Sequence, residues 1–177
     1  MWTTALFVFL GLVALMLIMT FVLPLFMPAS YSIEKSISVN APADLCYNKV
    51  ANLNQYADWN PWSLMEPDAD KKISGTPKTI GHRYEWEGKK IGAGSLTVKS
   101  VNPGKSLEFE LEFLRPWRSK AIDSWTFENQ GGQTKITWKN SGTLSYPVAR
   151  MMGPVILKNL NQQFEQGLDN IKQLCEK

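Results

Sequence analysis

Residues 106–113 read SLEFELEF. Successive side chains of an extended strand point to opposite sides, so Leu107, Phe109, Leu111 and Phe113 share one face and Glu108, Glu110 and Glu112 the other. One side is built for a core and the other for water. Lysines fall on the outer faces of neighbouring segments, which makes the three glutamates a solvated sheet surface rather than a metal or substrate patch.

The period-two pattern extends in both directions. Downstream, LRPWRSK (114–120) reads as a hairpin tip, after which Ala121, Asp123, Trp125 and Phe127 continue the inner face. Gly131-Gly132 makes the next hairpin turn, and Thr134, Ile136 and Trp138 then alternate with Lys135, Thr137 and Lys139. Upstream, HRYEWEG (82–88) sets His82, Tyr84 and Trp86 against Arg83, Glu85 and Glu87. SLTVKSV (95–101) follows it, and Asn102-Pro103-Gly104 turns the chain into the 106–113 strand. EPDADKK (66–72) reads as an acidic connection before these strands.

Helices flank the meander. YSIEKSISVN (31–40) is predicted as a strand through Tyr31, Ile33, Ile37 and Val39. A helix follows with Asn40 as its cap and Pro42 in its first turn, burying Cys46, Val50 and Leu53 at i, i+4 and i+7. LNQYADW (53–59) forms a further helical turn that Asn60-Pro61 ends. At the C-terminus, Ile156, Leu160, Phe164, Leu168, Ile171 and Cys175 recur at helical spacing, predicting one long amphipathic helix.

This order predicts an α+β fold, an antiparallel sheet wrapped around the long C-terminal helix. A twisted sheet of six or seven strands is wider than a helix of about 10–12 Å diameter. Loops, large side chains or a ligand must therefore fill the space that the helix leaves.

Residues 1–30 stand apart from that domain, which spans 31–177. From Trp2 to Met27 no side chain is charged, and the run exceeds the roughly 20 apolar residues that cross a bilayer. A cleaved signal would have a basic start, a shorter apolar run and a small-x-small site, whereas Met27-Pro28-Ala29-Ser30 is a poor one. We therefore expect one uncleaved transmembrane helix, with Pro24 and Pro28 marking its exit into a short linker. Glu34 and Lys35 cancel after it, so what charge bias exists places the domain on the non-cytoplasmic side.

Several function classes are excluded or disfavoured by composition. A formal charge of +3 over 177 residues, without a basic stripe interleaved with aromatics, argues against nucleic-acid binding. The two cysteines, Cys46 and Cys175, form no CxxC and read as buried free thiols, with a disulfide as the alternative. His82 is the only histidine, so no metal set is expected. Glu66, Asp68 and Asp70 lack the glycine and terminal glutamate of a calcium loop, and Gly92-Ala-Gly94-Ser95 lacks the helix that a phosphate loop needs. Close backbone packing accounts better for those glycines, and no cofactor is expected.

Two polar residues lie on the apolar side of their strands. His82 is in line with Tyr84 and Trp86, and Asp123 with Trp125 and Phe127, so a shared pocket would give them acid–base capability. The aromatic side chains Tyr84, Trp86, Phe109, Phe113, Trp125 and Trp138 share the inner face, more ring surface than one helix covers. They either line an apolar ligand pocket or fill the core. Trp59 and Trp62, in YADWNPW (56–62), are expected to close the end of that space, and Met151 and Met152 to serve as an adaptable gate. Trp117 among Arg115, Arg118 and Lys120 is the mixture that favours a lipid interface.

Three strings carry a family resemblance: SIEKSISVNAPADLCYNKVANLNQYADWNPW (32–62), RYEWEGKKIGAGSLTVKSV (83–101) and FEQGLDNIKQLCEK (164–177). With the strand–turn pattern between them, residues 31–177 resemble the START-related superfamily, in its polyketide-cyclase and lipid-transport-like branch. The resemblance implies a helix-grip fold with a cavity between sheet and long helix for lipids, sterols, polyketides or similar molecules. Fold alone does not decide between carriage and chemistry. The leading expectation is membrane-anchored binding of an apolar ligand. The alternatives are a cyclase or dehydratase using His82 and Asp123, and an interaction module whose cavity is filled by its own side chains.

Overall fold

The computed structural model describes residues 2–177. Helix α1 (Trp2–Leu17) continues through a π turn (Ile18–Val22) and a 3-10 turn (Leu23–Phe26). Together Trp2–Phe26 form a helix long and apolar enough to cross a membrane, with its side chains, the buried Pro24 excepted, outside the packed domain. Its last turns are tied to that domain: Tyr146 donates its hydroxyl to the Phe21 carbonyl, and Arg150 Nη1 donates to the Pro24 carbonyl at 3.4 Å.

Seven strands form one antiparallel sheet in the order β1-β7-β6-β5-β4-β3-β2. They are β1 (Ser30–Val39), β2 (Asp70–Ser74), β3 (Arg83–Glu87), β4 (Ala93–Asn102), β5 (Ser106–Arg115), β6 (Ser119–Gln130) and β7 (Gln133–Thr143). In β5, Leu107 and Phe109 are buried and Glu108 is exposed, as the alternation of SLEFELEF requires. Lys99 and Lys120 reach Glu110 on the outer face at 3.2 and 3.9 Å, so these glutamates are indeed part of a solvated sheet surface. Strand β2 overlaps the end of what the sequence presents as an acidic connection. All five of its residues are exposed at the sheet edge, so no apolar alternation marks it.

Between β1 and β2 lie α2 (Ala43–Ala51), α3 (Tyr56–Trp59) and α4 (Pro61–Met65). Cys46, Val50 and Leu53 are fully buried, as their spacing predicts. Asn40 is not the cap of α2: Pro42 occupies that position. Asn40 instead accepts from Gln133 Nε2 at 2.7 Å, and its backbone N–H donates to Glu176 at 2.7 Å, joining both ends of the domain. Asn60-Pro61 does more than end a helix. Asn60 terminates α3 and caps α4 by accepting from the Ser63 N–H at 3.1 Å, with Pro61 in the first turn.

The short α5 (Val148–Met151) precedes the long α6 (Gly153–Cys175), which lies across the inner face of the sheet. Phe164, Leu168, Ile171 and Cys175 are its buried stripe. The helix comes close to the sheet at Gly167, where an added Cβ would meet Trp138 Cζ3 at 2.8 Å. Helix and sheet grip here because no side chain intervenes. Trp138 is clamped between Phe164 and Trp125 at centroid distances of 3.8 and 4.4 Å, and Trp59 meets Trp125 and Trp138 edge-on at 5.6 and 5.9 Å. Each such pair contributes about 0.5–1.5 kcal/mol beyond the area it buries. Cys46 and Cys175 are both free and buried, the first of the two readings given by their spacing.

Candidate functional site

The register sorts the domain into a packed half and an open half. Ser30 of β1 pairs with Thr143, Ala121 with Gly142 and Phe113 with Ser119, and the Leu144 N–H donates to the Ala29 carbonyl. Thus the β5–β6 hairpin, the β7–α5 connection and the exit from the apolar helix lie at one end. Toward the opposite end, Trp59, Phe109 and Trp125 are almost fully buried and form a solid aromatic floor. These three fill the core and do not line the cavity.

Above that floor lies an inner cavity of about 60 Å³. Tyr84, Trp86, Leu111 and Phe113 supply its sheet wall, Leu160 and Phe164 its helix wall, and Trp62 one side. Gly94 makes room for this arrangement: a Cβ there would strike Trp86 Cζ2 at 2.5 Å. Trp86 in turn donates its indole N–H to the Ile91 carbonyl at 3.3 Å, holding the β3–β4 loop over the cavity. A second, outer cavity of about 210 Å³ is lined by Tyr31, Pro116, Trp117, Leu144 and Ile156. Phe113 and Leu160 border both cavities and form the partition between them.

The inner wall has one polar quarter. Asp123 accepts from Asn140 Nδ2 at 2.7 Å and from Trp138 Nε1 at 3.1 Å, both on Oδ1. Burial pushes its carboxyl up to about 6, although the two hydrogen bonds oppose the shift. Ser63 and Tyr84 share a hydrogen bond at 3.2 Å on the same wall. Burial and then the nearby Asp123 charge push the Tyr56 hydroxyl well above its ordinary range. Burial raises the Tyr84 hydroxyl as well, the Ser63 hydrogen bond opposing, so both phenols stay neutral near pH 7 while Asp123 still ionises there at the cost of its burial.

His82 does not join Asp123. It precedes β3 at the packed end, is fully buried, and does not border the cavity. Burial lowers its pKa, the neighbouring Ala51 backbone opposing, and neither ring nitrogen has a hydrogen-bond partner of good geometry. It is a neutral core histidine. The alternation reads its inward direction correctly, but direction along a strand does not give depth.

Met151 and Met152 are exposed beside the start of α6 and border neither cavity. Trp117 lines the outer cavity and is 42% exposed. Its cations are partly committed: Arg115 pairs with Glu87 at 2.8 Å and Lys120 lies near Glu112 at 3.8 Å. Among the described residues, Arg118 is the one member of that trio without an ion pair. No group of three or more His, Cys, Asp or Glu side chains that could hold a metal occurs among the described residues.

Sequence reasoning missed Tyr56, Asn60, Ser63 and Asn140. Asn140 carries the signal that singled out Asp123, a polar residue in line with Ile136 and Trp138, and pairing across β6–β7 makes it that residue's partner. Residues 30–176 match the family described as polyketide cyclase / dehydrase and lipid transport. The chain belongs to that family.

This member of the polyketide cyclase / dehydrase and lipid transport family is also similar in fold to solved structures. Protein CV1439 from Chromobacterium violaceum is 15% identical, with a TM-score of 0.62 over 82% of this chain and 97% of that one. Protein MLL2253 from Mesorhizobium loti is 15% identical, with a TM-score of 0.61 over 81% of this chain and 96% of that one. At such identities the likeness is one of fold. No curated protein matches the sequence.

Proposed function

We propose that this protein binds a hydrophobic small molecule, lipid or polyketide-like, between the sheet and the C-terminal helix, for carriage or sensing at a membrane. The observation that carries the reading is the pair of cavities meeting at Phe113 and Leu160, the outer one beside the hairpin that shares an end with the apolar helix. Apolar walls with a few placed polar groups are how small hydrophobic ligands are held. The Trp2–Phe26 helix would anchor the domain in the bilayer, and the weak flanking charge bias favours its lying on the non-cytoplasmic side. Trp117 and Arg118 would then meet the lipid interface, and Met151 and Met152, exposed at the same end, would adapt to a passing ligand.

Catalysis by His82 and Asp123 as a pair has no support in this geometry, because Asp123 alone borders the cavity. A wholly filled core accounts for the half around Trp59 and Trp125 but not for the half below the anchor. Native mass spectrometry of the full chain, extracted from its source membrane in lipid nanodiscs, tests the reading. A discrete apolar mass retained by the wild type and lost on Trp86→Ala supports it. Only apo protein, with no uptake from added lipid extract, would refute it.

A further inference from the structure

Two buried polar atoms of the cavity wall have no partner. They are Asn60 Nδ2 and Asn140 Oδ1, on side chains 1% and 2% exposed. The orientation of each amide is set by its other half. Asn60 must present oxygen to the Ser63 N–H, and Asn140 must present nitrogen to Asp123, so the first is left with a spare donor and the second with a spare acceptor. An unmet buried polar group costs about 1–3 kcal/mol, so such a pair on one cavity wall marks where a ligand's polar atoms would sit. Asp123 stands beside them with both of its hydrogen bonds on Oδ1. No lysine, arginine or histidine lines the cavity.

Resting on the apolar-ligand reading above, we infer that the inner cavity selects an uncharged head group that both donates and accepts a hydrogen bond, a primary amide or hydroxyl, with its tail running toward the membrane end. The wall at Asn140 and Asp123 asks for a donor, and Asn60 asks for an acceptor. An ester or ketone meets only Asn60, and an ammonium head leaves Asn60 unmet. A carboxylate or phosphate head would face the Asp123 carboxylate with no cation to offset it. Direction follows from the sheet register. Asp123 pairs with Phe109, above the aromatic floor, whereas Phe113 pairs with Ser119 at the hairpin end. The inner cavity, about 60 Å³, has room for about four water-sized groups, which suits a head but not a chain. The tail must pass Phe113 and Leu160 into the outer cavity.

A series matched in its six-carbon chain tests this without a named ligand: hexanamide, methyl hexanoate, hexanoate and hexylamine. Each is titrated at pH 8 into the full chain in nanodiscs, with the fluorescence of the cavity tryptophans Trp62, Trp86 and Trp138 as readout and empty nanodiscs as reference. Hexanamide is expected to bind about tenfold more tightly than methyl hexanoate and hexylamine, and about a hundredfold more tightly than hexanoate. Asp123→Asn keeps the acceptor for Trp138 and Asn140, and should improve hexanoate relative to hexanamide at least about tenfold. An ester that binds as well as the amide overturns the head-group assignment while leaving apolar binding intact. So does a hexanoate-to-hexanamide ratio that Asp123→Asn does not move. If no member of the series binds and native mass spectrometry finds no retained ligand, both readings fall together.

Discussion

Asn140 donates its side-chain amide to Asp123 at 2.7 Å across the β6–β7 register, inside an otherwise aromatic wall. The carboxyl is wholly buried and pushed up to about 6, so its charge is disfavoured by the fold. For a group whose folded pKa lies above its unfolded value of 3.8, stability is lost as pH rises through that interval and recovered as pH falls through it. Asp123→Asn should therefore raise stability at pH 7–8, by up to about 3 kcal/mol, and have little effect near pH 4. Denaturant midpoints of the two proteins between pH 4 and 8 check this, and parallel curves would remove the buried charge from the account.

Phe113 and Leu160 separate the two cavities, so shortening the first should join them. Phe113→Ala is expected to cost about 2 kcal/mol, less than for a fully buried ring, because Phe113 is only half-buried. Ligands with longer tails should then bind at least as well as to the wild type, while six-carbon ligands bind less well. Affinities of a tail-length series decide the matter; a uniform loss at every length would make Phe113 an ordinary core residue.

Glu66 clasps the loop over the cavity by accepting from the backbone N–H groups of Lys89, Lys90 and Ile91 at 2.9, 2.9 and 3.1 Å. Those bonds lower its pKa, so the clasp is complete above the ordinary glutamate range of about 4.3 and is lost as pH falls through the lowered value. Glu66→Ala should speed amide exchange at residues 89–91 at neutral pH and leave β5–β6 unchanged. Site-resolved hydrogen exchange measures it, and unaltered protection of the loop would mean that the Trp86–Ile91 bond alone suffices.

Trp117 and Arg118 sit at the tip of the hairpin that shares an end with the apolar helix. In nanodiscs containing headgroup-labelled quencher lipids, the Trp117 signal, taken as wild type minus Trp117→Phe, should be quenched. Arg118→Glu should weaken that quenching more than Arg115→Glu, because Arg115 is already paired with Glu87. A basic residue near an anionic surface contributes about 1 kcal/mol. Equal quenching in all variants would separate the hairpin from the membrane.

The period-two runs and the i, i+4, i+7 stripes were sufficient for the layering, because each follows from where an apolar side chain must point for its element to bury it. They located the strand containing SLEFELEF and the helix through Phe164 and Ile171, while length and the lack of charge marked the Trp2–Met27 run. They could not show β2, whose five residues are all exposed at an edge and are held by backbone pairing with β3. Nor could alternation tell Trp59 and Trp125, which are floor, from Trp86 and Phe113, which are wall. Facing inward is a local property of the chain, and so it was determined by the sequence alone. Depth, partnership and vacancy were decided only by the tertiary structure. Asn60 joins Asn140 and Asp123 on one wall, and His82 is left out of it, through the register of β6 on β7 and the packing of α4 against the sheet, contacts between residues distant along the chain.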